Sequence, residues 1–165
     1  MVSAVTREQK EFVYRLSLGL ARSKIDQLDT SVHSFIAELG DKLCSDRAYL
    51  ITFEEATQTI SITHEACRNG VTPQRDAIQN VPMARFQWLM GQLQTLPVLV
   101  IPEVEELPSE AEEEKLEFQR EGIRSLVLVG LKLEGQVRGI LGFDFLQQSR
   151  VLDSETEEFA LQVGE

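Results

Sequence analysis

The stretch that decides the fold is Glu121-Gly122-Ile123-Arg124-Ser125-Leu126-Val127-Leu128-Val129-Gly130-Leu131-Lys132-Leu133-Glu134-Gly135-Gln136-Val137-Arg138-Gly139-Ile140-Leu141-Gly142-Phe143-Asp144-Phe145-Leu146. Two apolar runs, Ser125 to Leu133 and Gln136 to Leu146, flank Glu134-Gly135, which is a hairpin turn signal. The second run places Val137, Leu141, Phe143 and Phe145 on one face, with Asp144 opposite Leu141 and Phe143. Gly139 and Gly142 lie inside a strand and not at a strand-to-helix turn, so they suit twist or the close approach of a neighbour or ligand.

Working back from the hairpin, Ser109-Glu110-Ala111-Glu112 starts a helix with acids in its first turn, Arg120 in its last and Gly122 just beyond. Val98 to Ile101, bounded by Pro97 and Pro102, reads as a short edge strand. Asn80 caps a helix with Pro82 near its first position and a stripe of Phe86, Leu89, Met90, Leu93 and Leu96. Two further strands precede it: Ala48 to Phe53 is nearly all apolar, and Thr59 to Glu65 alternates with Ile60, Ile62 and His64 on one face.

At the N-terminus, Thr6-Arg7-Glu8-Gln9 is a capping box ahead of Phe12, Leu16 and Leu20. A weaker box, Ser23-Lys24-Ile25-Asp26, opens a second helix striped by Ile25, Leu28, Val32, Phe35, Ile36, Leu39 and Leu43. Ser154-Glu155-Thr156-Glu157 caps a last helix carrying Phe159 and Val163, which the sequence leaves at barely three turns. Strands joined by hairpins with helices over them make an α+β domain around a central antiparallel sheet.

Composition narrows the function. The net charge of -11, from 27 acidic and 16 basic side chains, repels phosphate backbones and anionic headgroups, which argues against nucleic-acid or membrane partners. Cys44 and Cys67 are too few for a disulfide scaffold, so a reducing cytoplasm is the expected setting. No nucleophile with a base, metal cluster or phosphate loop stands out, and the expectation is a domain that is not itself an enzyme.

Several passages resemble the GAF family, ligand-binding relatives of PAS domains. Asp46-Arg47-Ala48-Tyr49-Leu50 resembles the family's first strand, and Glu121 to Leu126 followed by Val137 to Phe143 resembles its Gly-Ile-Arg-Ser and Gly-x-Leu-Gly-Phe strands. Thr63-His64-Glu65 and Pro102-Glu103-Val104 resemble a subgroup found beside bacterial histidine kinases and diguanylate cyclases. The resemblance implies about six antiparallel strands, a pocket between one sheet face and its helices, homodimers through terminal helices, and an output domain in the same chain. Residues 1–24 then form an N-terminal linker or dimerisation helix, and residues 25–165 the GAF domain, ending in a truncated signalling helix.

The ligand stays unnamed. No cysteine lies between Arg68 and Glu165 to match the Cys-His pair of tetrapyrrole-binding branches, which argues against covalent bilin attachment. The cyclic-nucleotide signature is absent from the tail Gln147 to Asp153. Candidate ligand-binding residues are His64, Cys67, Trp88 and Asp144. His64 is either a packed, hydrogen-bonded histidine or pocket lining; His64-x-x-Cys67 falls short of the about four ligands of a zinc site. Trp88 lies about 200° from Phe86 on the helix and faces a pocket, an interface or folded-over core. Asp144 suits a polar pocket or solvent. The seven glutamates between Glu103 and Glu114 read as a solvated loop and cap. The resulting expectation is a small-molecule sensor of a two-component histidine kinase, relaying a change through terminal helices; the alternative is a ligand-free dimerisation module of a diguanylate cyclase or other signalling protein.

Overall fold

The structure is a computed structural model and describes residues 4–21, 29–146 and 154–164. Helix α1 spans Arg7–Ala21 and α2 Asp29–Leu43; strands β1 (Arg47–Glu54) and β2 (Thr59–Cys67) follow. After β3 (Val81–Pro82) come α3 (Gln87–Thr95), β4 (Val98–Ile101), α4 (Glu112–Arg120), β5 (Ser125–Leu133), β6 (Gln136–Phe145) and α5 (Ser154–Gly164). The strands form one six-stranded sheet in the order β3-β2-β1-β6-β5-β4, antiparallel throughout. The α+β architecture expected from the sequence is therefore the one observed. The weak box at Ser23 to Asp26, Ile25 and Leu28 of the second stripe, and the tail Gln147 to Asp153 lie outside the described residues.

Local chemistry sets several boundaries as anticipated. The Thr6 amide donates to Gln9 Oε1 at 2.8 Å while the Gln9 amide donates to Thr6 Oγ1 at 3.2 Å, the reciprocal pair of a capping box. At the other end of α4, Gly122 takes φ 75°, and the Gly122 and Ile123 amides donate back to the Gln119 and Phe118 carbonyls at 3.0 and 2.9 Å. That pattern is a Schellman stop, and the left-handed residue it needs is the glycine.

One helix boundary differs. Val81–Pro82 pairs with Thr59–Ile60 as the sixth strand, and Met83–Phe86 forms a 3₁₀ turn, so α3 begins only at Gln87. Asn80, at φ 53°, turns the chain into that strand and does not cap the helix.

Two bulges redirect side chains. The β1–β2 register shifts between Leu50 and Ile51, so His64 pairs with Leu50 while Ile62 pairs with Ile51. The extra residue, Thr63, turns His64 away from Ile60 and Ile62, contrary to the simple alternation. A second shift between Leu131 and Lys132 likewise separates Val137 from Leu141, Phe143 and Phe145.

The sheet has a core on each face. Leu16 of α1, Ile36 and Leu39 of α2, and Phe159 of α5 pack with Leu50, Leu141 and Phe143. On the opposite face Phe86, Leu89, Leu93 and Phe118 pack with Tyr49, Ile62, Leu126 and Ile140. Each fully buried side chain of this kind is worth about 1.5–3 kcal/mol. Phe12 and Leu16 of the α1 stripe pack against this core.

Gly142 sits directly beneath the Tyr49 ring, its register partner in β1. A Cβ there would lie 2.2 Å from the ring carbons. Gly142→Ala should cost about 3 kcal/mol because the ring is hydrogen-bonded in place. In Gly91→Ala the exposed helical site has open space, and helix propensity should add about 0.5–1 kcal/mol. Urea unfolding of the two variants checks both signs.

Candidate functional site

On the α3–α4 face, near one end of the sheet, Arg47 pairs in register with Cys67 of β2 on one side and Asp144 of β6 on the other. The guanidinium is buried, and its Nε donates to Asp144 Oδ2 at 2.9 Å. Tyr49 places its hydroxyl 2.8 Å from Asp144 Oδ1, so both carboxylate oxygens have a donor. Burial of an ion pair is tolerable only with such satisfaction, because each desolvated charge costs several kcal/mol.

Arg47 also reaches outside the sheet. Its Nη1 donates to the Thr72 carbonyl at 2.8 Å, and Nη2 lies 3.4 Å from both the carbonyl and Oε2 of Glu121. The segment after β2 is tied down further by Glu65, whose carboxylate accepts the Gln74 and Arg75 amides at 2.9 and 3.0 Å. Gln74 Oε1 in turn accepts from Arg120, which pairs with Glu117 at 2.6 Å. One buried junction therefore joins β1, β6, the segment Thr72–Arg75 and the end of α4.

The junction perturbs its own acids. Burial pushes Glu121 up to about 9, helped by the neighbouring Asp144 charge and its hydrogen bond with Glu117. Burial raises Asp144 to about 6 against the pull of Arg47. Tyr49 is raised well above the ordinary phenol range, first by burial and then by Asp144. Glu117 is lowered by its hydrogen bond from Arg120. Near neutral pH Asp144 is ionised against Arg47, and Glu121 holds a proton.

The four residues expected at the site are only partly brought together. Asp144 is at its centre, and Cys67 lies in the same row, half-buried; the cavity of about 250 Å³ that Cys67 borders opens beside α2, along Ala37, Gly40, Ala48 and Ala66, and not on the α3–α4 face. His64 is buried on the other face of the sheet, its Nδ1 2.9 Å from Thr63 Oγ1. Trp88 is half-buried and packs on the apolar core beneath α3 and α4. Sequence reasoning missed Arg47, Tyr49 and Glu121 as site residues. The available signal was Asp144 itself, an acid in an apolar strand that requires a buried cation.

Three solved structures show the same architecture. A phycocyanobilin-bound GAF domain from a cyanobacterial phytochrome matches with a TM-score of 0.69 at 15% identity, over 98% of this chain and 93% of that one. The chain has the GAF fold. The chromophore-binding domain of Stigmatella aurantiaca bacteriophytochrome matches with a TM-score of 0.68 at 15% identity, over 98% of this chain and 61% of that one. The PixJ GAF domain of Thermosynechococcus elongatus, in its blue-light-absorbing form, matches with a TM-score of 0.63 at 16% identity, over 88% and 83%. No family model matches the sequence, and no curated protein matches it.

These likenesses correct the expectation against a covalent bilin. The fold coincides with chromophore-binding domains at 15% identity, a level at which one missing Cys-His pair is no ground for excluding the group. The thiols that would serve such a group are Cys67, which borders a cavity, and Cys44, which is exposed. Burial, with Glu65 adding to it, raises the Cys67 thiol to about 11, so it is protonated at neutral pH.

Removing Arg47 with Arg47→Met should cost about 3–5 kcal/mol, since Asp144 loses its buried counter-ion. Asp144 and Glu121 are both raised, so the native state keeps protons that the unfolded chain releases. Their stabilising contribution is full on the acid side and is lost as pH rises through about 6 for Asp144 and about 9 for Glu121. Glu117 is lowered and acts oppositely, losing its contribution as pH falls below the ordinary carboxyl range. Stability from these groups should peak at about pH 4 and decline toward about pH 9, and Glu121→Gln should flatten the limb above about pH 7. Urea midpoints of wild type and variant across that range test the signs.

Proposed function

We propose that this chain is a sensory module: a small molecule bound on the α3–α4 face of the sheet biases the terminal helices on the opposite face. The observation that carries this reading is the alternation along β6. Ile140, Gly142 and Asp144 belong to the α3–α4 face, while Leu141, Phe143 and Phe145 pack under the helices of the other face. A ligand that shifts this strand from the α3–α4 side moves the second set, because one strand carries both.

The output the module would serve is a histidine kinase or cyclase domain in the same polypeptide, in the cytoplasm. Its unpaired cysteines agree with a reducing setting. Among the described residues no helix is long and apolar enough to cross a membrane. A bilin is the first ligand class to test, since chromophore-binding domains share the fold.

A second reading, a ligand-free module that aligns helices between two copies, is supported by how fully the α3–α4 face is packed by its own side chains from Tyr49 to Ile140. The two readings separate in solution. A sensor mixed with biliverdin, phycocyanobilin and a panel of small metabolites should gain melting temperature with at least one, by mass action. A bound bilin should add a visible absorption band that survives denaturation when the link is covalent and disappears in Cys67→Ser if that thiol makes it. A melting temperature indifferent to every compound, together with a dimer in light scattering, would favour the structural module.

A further inference from the structure

Around the end of α4, among the described residues, the acids outnumber the cations that meet them. Arg47 faces Asp144 at 2.9 Å and Glu121 at 3.4 Å, and Arg120 faces Glu117 at 2.6 Å and Glu121 at 3.8 Å. Two guanidinium groups thus serve three carboxyls. Arg85 reaches Glu117 only at 3.9 Å and is half-exposed, where solvent screens it. Glu117 and Glu121 lie one turn apart at the end of α4 and both turn toward Arg120.

Among the described residues, the other groups turned toward this point bring no further positive charge. Tyr49 of β1 is occupied by Asp144, and β2 adds Glu65 and Cys67. Asp46, ahead of β1, accepts the Leu146 amide at 2.7 Å and has Arg68 at 3.9 Å. The segment after β2 contributes the Thr72 carbonyl and the Gln74 amide group. A third negative charge placed here would have no partner, and the low-dielectric surroundings would magnify its repulsion.

The same point is where separate elements are fastened. Glu121 is the C-terminal cap of α4, its carbonyl and carboxyl both lie against Arg47, and Arg47 also holds Thr72. We propose that Glu121 is a proton-operated latch: protonated, it keeps the cap of α4 and the segment Thr72–Arg75 closed on the sheet, and losing the proton parts them. The proposal rests on the sensory reading, because parting would uncover the face on which a ligand is placed. Solution pH, or a ligand that supplies or withdraws a hydrogen bond at Glu121, would work the same latch.

Hydrogen–deuterium exchange of the ligand-free protein at about pH 7 and about pH 9.5, with intrinsic exchange rates divided out, tests it. In the wild type, peptides covering residues 70–80 and 117–124 should lose about tenfold in protection, while the β5–β6 hairpin keeps its own. Glu121→Gln, which donates a hydrogen bond but cannot ionise, should show no such loss. Unchanged wild-type protection, or an equal loss in Glu121→Gln, would overturn the latch. If the variant does not fold, a carbon-13 NMR titration of wild type decides: a Glu121 carboxyl that ionises together with the exposed glutamates overturns it, and one that titrates far above them supports it. No ligand enters these measurements, so the latch can fail while ligand binding stands, and ligand binding can fail while the latch stands.

Discussion

The Arg47–Asp144 ion pair is the constraint from which the rest of the α3–α4 face follows. Neither group is accessible to water, so each must find the other across the β1–β6 ladder. A one-residue slip of β1 would carry Arg47 to the opposite face, among aliphatic side chains under α1, α2 and α5. Buried pairs add little net stability compared with apolar packing, but an unpaired guanidinium is costly, so the pair acts chiefly by penalising wrong registers. Tyr49 follows from it because Asp144 needs a second donor, and Gly142 follows from Tyr49 because the ring lies where a Cβ would be.

From this pair the connections spread outward to less regular parts of the chain. Arg47 holds Thr72, Glu65 holds the amides of Gln74 and Arg75, and the Gln79 side chain donates to the Ile62 carbonyl at 2.8 Å. The long connection between β2 and β3 thereby covers the outer edge of β2, which would otherwise offer unpaired amides and carbonyls to another chain. Charge and edge protection are met by the same few side chains.

How much of this could be read in advance depended on whether the cause was local. The hairpin turn at Glu134-Gly135, the Thr6–Gln9 box and the stop at Gly122 each depend on residues within a few positions of one another, and all three stand in the structure. The bulges at Thr63 and beside Lys132 leave no mark in composition, and each moved a residue to the unexpected face. The two-residue strand at Val81–Pro82 was hidden because proline reads equally well as a helix start. The ionic junction was visible only in pieces. Arg47, Glu121 and Asp144 all stand in or beside the stretches that resemble GAF sequences, yet they meet across separations of 97 residues for Arg47–Asp144 and 74 for Arg47–Glu121.

The junction also bears on which part of the α3–α4 face can adapt to a ligand. At the Arg47 end, both carboxylate oxygens of Asp144, the Arg47 donors and the loop amides are already engaged, so a ligand gains little by displacing them. Around α3 the half-buried side chains include Met83, Trp88 and Met90, and an open groove of about 540 Å³ borders Pro82, Met83 and Met90. Unbranched thioethers change rotamer at small cost, and a half-buried indole can turn without exposing a charge. A fixed polar anchor at one end keeps the strands in register, and the apolar end around α3 is the part of this face that can rearrange without breaking an ion pair.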